Sequence, residues 1–258
     1  MSVQAGTEMA GILYLIPNTL SAPEGVTDEL LASIIPAGVQ RLTASLDYFI
    51  AENAKATRAC LNLIARKHPL RVSLQEITIS ELNVNTPADA LPDLLAPLLR
   101  GRDAGLISDA GVPAVADPGA NLLRLAHRLG VTVRPLVGPS SLLLAVMASG
   151  LNGQSFAFNG YLPTDTSQRI RRLKALEERS RQEQQTQLFI ETPYRNLVLL
   201  EALAANCSST TLICIATDLT TQAEFICTQS AGAWKKELAL GNAPDFHKRP
   251  TVFLFLAA

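Results

Sequence analysis

The chain has 258 residues, of which 48% are hydrophobic and 17% charged, and its net charge is −1. This composition excludes a disordered chain, and it supplies no global basic field to draw in nucleic acid, so any such contact has to come from a local patch. The length allows one large domain or two smaller ones, with ample surface to bury.

Residues 1–11 read as a loose tail. The first strand is Ile12 to Ile16, an apolar run that stops at the loop Pro17 to Pro23. A helix is expected over Asp28 to Ile35, then a short strand near Gln40 to Leu42. Tyr48 to Ala51 reads as a strand ending at Glu52-Asn53, where a helix carrying Lys55 and Arg58 begins and runs to Ala65. Thr78 to Leu82 is an expected edge strand, and Asn85-Thr86-Pro87 caps a helix from Ala88 to Leu99.

The stretch Gly105 to Ser141 carries the strongest signal. Leu106-Ile107-Ser108 is a strand end that breaks into Asp109-Ala110-Gly111, and Asp117-Pro118-Gly119 starts a helix with Asp117 as its cap and Pro118 in the first turn. Leu122, Leu123, Leu125, Ala126 and Leu129 form the apolar face, and Gly130 is a left-handed stop. A second strand, Val131 to Val137, ends in Gly138-Pro139-Ser140-Ser141, and the helix Leu142 to Ser149 follows. Strand, crossover helix and strand imply parallel pairing, which brings Asp109 and Ser140 out at one sheet edge, where open α/β sheets bind ligands. The repeated alternation makes residues 12–162 a parallel-sheet α/β domain.

Composition changes after Pro163, which is read as a hinge. Arg169, Arg171, Arg172, Lys174, Arg179 and Arg181 alternate with Glu177, Glu178 and Glu183 in a helix expected to face water on most sides. Then come a strand Gln187 to Glu191, a helix Tyr194 to Ala205, strands Thr211 to Thr217 and Glu224 to Thr228, a helix Ala233 to Ala239 and a last strand Thr251 to Leu256. Hairpin-sized gaps imply antiparallel pairing, so residues 163–258 read as a second α/β domain with a mixed sheet.

Neither a G-x-G-x-x-G turn after a strand nor a G-x-x-x-x-G-K-[ST] loop is present. His68, His127 and His247 are scattered outside zinc-ligand spacing, so no metal site is expected. Cys60, Cys207, Cys214 and Cys227 lack C-x-x-C spacing, and with no recognisable leader or membrane-length apolar run the expected setting is cytoplasmic, with no membrane partner. At the strand ends, Gly111, Pro113, Gly138 and Pro139 let backbone approach a ligand, and Ser140 and Ser141 offer hydroxyls and amides. Asp109 disfavours phosphate there and suits an ammonium, a sulfonium or ribose hydroxyls.

Ser108-Asp109-Ala110-Gly111-Val112-Pro113, then Ala116-Asp117-Pro118-Gly119 and Pro135 to Ser141, resemble the tetrapyrrole methylase family, the class III S-adenosylmethionine-dependent methyltransferases. Leu13 to Pro17, Ala51-Glu52-Asn53 with Thr57-Arg58, Ala148 to Leu151, Phe156 to Pro163 and Glu191 to Arg195 match in order, and they are most similar to the small-subunit rRNA ribose 2'-O-methyltransferase branch. The resemblance implies a two-domain fold, S-adenosyl-L-methionine as cofactor held between the domains, and a homodimer.

Carried over by position, the resemblance implies cofactor contacts at Pro17 and Leu20, at Asp109, Ala110, Gly111, Val112 and Pro113, and at Ser140 and Ser141. From the second domain it implies Ile190, Glu191, Ala216, Thr217, Pro250 and Thr251. Glu52, Lys55, Arg58 and Arg195 are the implied catalytic candidates, since a ribose hydroxyl acceptor needs a base or charge stabiliser. The loop Asn18 to Pro23 departs from the family's signature, Asn53 replaces one carboxylate, and Thr217-Asp218-Leu219-Thr220-Thr221 lacks two basic groups. The expected function is therefore methyl transfer to an rRNA ribose hydroxyl or a related cytoplasmic acceptor. A tetrapyrrole or other small-molecule methyltransferase, or an inactive S-adenosylmethionine-binding sensor or assembly module, is the alternative.

Overall fold

Strand β1 (Ile12–Ile16) is apolar along its whole length because both of its faces are covered. In the computed structural model, which describes residues 10–258, β1 is a central strand of a five-stranded sheet with β2 (Tyr48–Ala51), β3 (Thr78–Glu81), β4 (Ala104–Ile107) and β5 (Thr132–Pro135). The order is β3-β2-β4-β1-β5 and every pair is parallel. Residues 1–9 of the expected tail lie outside the described residues.

The pleat sends alternate residues to opposite faces. Tyr14, Ile16, Phe49, Ala51 and Ile107 pack with α1 (Asp28–Ile34), α2 (Ala37–Ala44) and α3 (Ala54–Ala65). Leu13, Tyr48, Ile50 and Leu106 pack on the other face with α4 (Leu91–Leu99) and α5 (Gly119–Arg128). The connections leaving β1 and β4, which are neighbours, run in opposite directions to opposite faces, so the crevice of this sheet lies at their carboxyl ends.

Two expectations are corrected here. Residues 40–42 are not a strand but the middle of α2, which follows Pro36 and buries Val39, Gln40, Thr43 and Ala44 along one face. Helix α5 starts at Gly119, one residue later than expected, yet Asp117 still caps the turn, its two carboxylate oxygens each accepting at 2.7 Å from the amides of Gly119 and Ala114. Gly130 adopts the left-handed conformation expected of it, with φ 73°.

By its internal contacts the chain divides at Ser140/Ser141, earlier than the expected boundary at 162/163. The physical reason is a strand that was not foreseen, β6 (Phe156–Tyr161), which pairs in parallel with β7 (Thr186–Ile190), while α6 (Ser141–Ser149) packs on the same second sheet. That sheet also contains β8 (Leu212–Thr217), β9 (Phe225–Ser230) and β10 (Thr251–Leu256) in the order β6-β7-β10-β8-β9, with all pairs but β6–β7 antiparallel. Phe189, Phe253, Phe255, Ile213 and Ile215 meet α7 (Thr166–Glu183), α8 (Asn196–Asn206) and α9 (Ala231–Ala239) in one core, where the Trp234 indole donates to the Ile213 carbonyl at 3.0 Å.

The charged helix α7 is not solvated on all sides. Arg169 is buried and donates to the Thr164 carbonyl at 3.1 Å, and Glu177 is buried, accepting from the Ser208 amide at 2.7 Å and from the Thr211 hydroxyl. Glu177→Ala would strand both donors, so we expect it to lower the urea unfolding free energy by about 1–3 kcal/mol. Glu178→Ala, which removes an exposed pair with Arg181 and an exposed hydrogen bond from Gln182, should stay within about 0.5 kcal/mol.

Candidate functional site

At the carboxyl ends of β1 and β4, Ile16 lies beside Ile107, and the loops that follow are tied together by Asn18. Its backbone amide donates to the Gly111 carbonyl at 2.8 Å, and its buried side-chain amide donates to the carbonyls of Ser108 and Asp109 at 3.2 and 3.1 Å. The Asn18 carboxamide oxygen accepts from Thr19 at 2.9 Å, which turns the chain toward Leu20. Asn18 was legible in the sequence only as a departure from the expected loop, yet it holds both strand ends.

Two glycines bring further backbone into this edge. Gly111 has φ +70°, and a side chain there would lie 3.1 Å from Leu20 Cδ2 and 3.4 Å from the Pro139 carbonyl oxygen. At Gly138 a Cβ would fall 2.2 Å from Pro17 Cβ, a distance that no packing tolerates. The structure thus brings together Pro17, Leu20, Gly111 and Gly138, with Pro17, Gly111 and Pro113 buried and Asp109 and Ala110 exposed. Val112 and Ser140 are half-buried, and Ser141 opens α6 and counts with the second unit. Ala114 and Ala116 hold positive φ values of 66° and 64°, strain concentrated in the turn between this loop and Asp117.

Three carboxylates gather on this edge. Burial pushes the Glu52 carboxyl above its usual range, the charges of Asp109 and then Asp117 push the same way, and the facing Asp109 backbone amide works against them. Partial desolvation of its carboxyl raises Asp109 although the residue is exposed overall, and burial raises Asp117 against the opposing amides of Gly119 and Ala114. A cavity of about 790 Å³ opens beside Glu52 and Asp117, walled by the segment after β3 and by α4 and α5. Lys55 and Arg58 stand exposed on α3, where Asn53 caps the first turn by accepting from Lys55 and Ala56 at 2.8 and 3.2 Å.

In the second unit the sheet order brings the expected strand ends side by side. Ile190 pairs with Val252, and Thr217 with Thr251, whose hydroxyls lie 3.1 Å apart. Glu191 is turned inward, accepting from Thr192 at 2.8 Å and pairing with Arg195 at 3.3 Å, so the Arg195 guanidinium is engaged within its own turn. Pro250 is exposed and accepts from the Asp218 amide at 3.0 Å. Two residues were missed in the sequence: Arg249, which pairs with Asp218 at 2.6 Å, and Asn196, which donates to the carbonyls of Phe246 and Arg249 and to Thr251. Arg249 lies in a turn with no periodicity to announce it, and Asn196 reads as an ordinary helix start.

Among the described residues no group of three or more His, Cys, Asp or Glu is placed to hold a metal ion, and burial raises the Cys60 thiol to about 12. No described helix is long and apolar enough to cross a membrane.

No family model matches the chain. Among curated proteins it is similar to ribosomal RNA small subunit methyltransferase I of Escherichia coli O157:H7, with 29% identity over 237 residues, 91% of this chain and 75% of that protein. The protein of the same name from Streptococcus pyogenes serotype M3 is 32% identical over 186 residues, 72% of this chain and 57% of that one. The chain shares its fold with solved methyltransferases: the methyltransferase CobJ matches with a TM-score of 0.57 at 18% identity, covering 96% of this chain and 95% of that one. The cobalt precorrin-4 methyltransferase CbiF matches with a TM-score of 0.52 at 14% identity, covering 98% and 97%. The chain thus spans three quarters of the length of the first relative and little more than half of the second.

The knot at Asn18 is formed by the chain's own loop. Asn18→Ala would leave the Ser108 and Asp109 carbonyls without their buried donor. We expect a loss of about 1–3 kcal/mol in stability, with faster hydrogen exchange confined to the Asn18 and neighbouring loop amides rather than spread over the sheet.

Proposed function

We propose that the protein is an S-adenosylmethionine-dependent methyltransferase whose acceptor is a ribose hydroxyl of small-subunit rRNA. The supporting observation is the similarity to the E. coli rRNA small subunit methyltransferase I over 91% of the chain. The loops at the β1 and β4 ends fit the cofactor chemically. Gly111 and Gly138 let these loops pack closely against Leu20, Pro139 and Pro17 where a side chain cannot stand, and the carboxylates of Asp109, Glu52 and Asp117 favour a cationic ligand over a phosphate.

On this reading Pro17, Leu20, Asp109, Ala110, Gly111, Val112, Pro113, Ser140 and Ser141 bind S-adenosylmethionine. Ile190, Glu191, Ala216, Thr217, Pro250 and Thr251 are proposed cofactor contacts in their own right. The bound sulfonium supplies an already activated methyl group, so alignment accounts for much of the rate. The chain's own task is to take a proton from the acceptor oxygen. Glu52 suits it: burial and neighbouring like charge bring its pKa closer to neutrality, where a carboxylate is both ionised and basic. Lys55 and Arg58 are charge stabilisers at most, and Arg195 orients Glu191. A protein that assembles as a homodimer in the cytoplasm is part of the same reading.

The test is transfer of a tritiated methyl group from S-adenosylmethionine into small-subunit rRNA from cells lacking the protein, with a uroporphyrin acceptor in parallel. Label in the rRNA supports the reading, label in the tetrapyrrole replaces its acceptor, and label in neither makes the protein a binding module.

Two residue-level outcomes follow from the edge electrostatics. Asp109→Ala should weaken calorimetric S-adenosylmethionine binding by about 1–3 kcal/mol, the loss of a charged hydrogen bond. Glu52→Gln should lower kcat on the order of 10²–10⁴-fold and abolish a rate limb that rises with pH through the raised Glu52 pKa. The sign for stability is opposite: a carboxyl raised in the folded state opposes folding once it ionises, so Glu52→Gln should raise Tm at neutral pH.

A further inference from the structure

The cavity beside Glu52 continues along α5, with Asp117 before the first turn and Arg124 and Arg128 further on. At the rise of an α-helix, Gly119 to Arg128 spans roughly 13 Å, so the cavity wall passes from acidic to basic over that length. Arg124 and Arg128, four residues apart, share one face about 6 Å apart along the axis. Both are exposed, and neither forms an ion pair among the described residues. Arg128 sits at the carboxyl end of α5, where a cation complements the helix dipole, but Arg124 in the middle has no such local reason.

The remaining lining is specific in kind. Val84, in the segment after β3, is 85% exposed, an apolar surface presented to water at the cavity, and Asn121 offers a free-standing carboxamide beside it. Carboxylates at one end of α5, two cations at the other, and an apolar surface and an amide in the same wall match the kinds of group along a nucleotide strand. A compact polycarboxylate would bring its acid groups against Glu52 and Asp117. A strand separates its hydroxyl from its phosphates and avoids that repulsion.

We infer that this cavity is the acceptor channel for a single-stranded RNA segment, with Arg124 and Arg128 each holding one backbone phosphate, Val84 and Asn121 contacting a base, and Glu52 facing the reactive hydroxyl. The inference rests on the methyltransferase reading for the role of Glu52, while the phosphate contacts stand by themselves. Arg124 and Arg128 are positioning residues, acting on binding and not on the reacting atoms.

The full chain is tested by fluorescence anisotropy with a fluorescein-labelled single-stranded RNA, across a salt series, beside R124A/R128A and R124K/R128K. The alanine pair should weaken binding by roughly tenfold or more and reduce the slope of log K against log salt by about 1.4, the share of two phosphates on a single strand. The lysine pair should retain the slope, which a merely structural role for the arginines does not explain. Calorimetric binding of S-adenosylmethionine should be equal in all three, and in the tritium assay KM for rRNA should rise while kcat holds. If R124A/R128A fails to fold, R124A and R128A singly should each remove about 0.7 from the slope. RNA affinity and slope equal to wild type in the alanine variants overturn the inference. Methyl transfer to rRNA that is indifferent to both arginines sinks the channel and leaves the activity standing. Arginine-dependent RNA binding without transfer does the reverse.

Discussion

The candidate site depends on one buried carboxamide. Asn18 satisfies carbonyls of Ser108 and Asp109 that would otherwise face an interior without a donor, and its backbone amide closes on Gly111. Loops at strand ends are ordinarily the mobile part of an α/β sheet. Here each is anchored to the other, so the position of the Asp109 carboxylate and of the amide that faces Glu52 is set by hydrogen bonds inside the sheet edge, before any ligand is present.

The two units treat charge in opposite ways. The second unit neutralises its strand-end carboxylates internally, Glu191 with Arg195 and Asp218 with Arg249. The first unit leaves Glu52, Asp109 and Asp117 against one another, with only backbone amides in opposition. Such a gathering of like charge works against folding, and it is sustained by the large apolar cores on both faces of the sheet. It is what a site for a cation and a proton transfer requires.

The parts of this architecture that could be read from residues alone were those with a redundant signal. β1, β2 and β4 are covered on both faces, so their apolar runs are unbroken and their ends fall at prolines, glycines and aspartates. Residues 40–42 misled because three residues of an amphipathic helix cannot be told from a strand. β6 was hidden by Asn159 and Gly160, where the pairing with β7 slips and Gly160 takes φ +64°. Charge pattern likewise says nothing of burial: Glu177 and Glu178 are neighbours in sequence, one an interior acceptor and one a solvated pair. Arg249 and Asn196 act through carbonyls and a carboxylate brought to them by the fold, which no local spacing encodes.

The position of β10 has a bearing on how the chain is made. Residues 251–256 fill the middle of the second sheet, bridging β7 and β8, and supply Phe253 and Phe255 to its core. During synthesis, β6 with β7 and β8 with β9 can form as separate ribbons, but neither can join the other until the last strand has left the ribosome. The first sheet is complete as soon as Pro135 is available. The second unit therefore spends the longest time with an open, hydrophobic gap at its centre, and that gap, a slot for any extended apolar segment, is where chaperone binding and misassembly of this protein would concentrate.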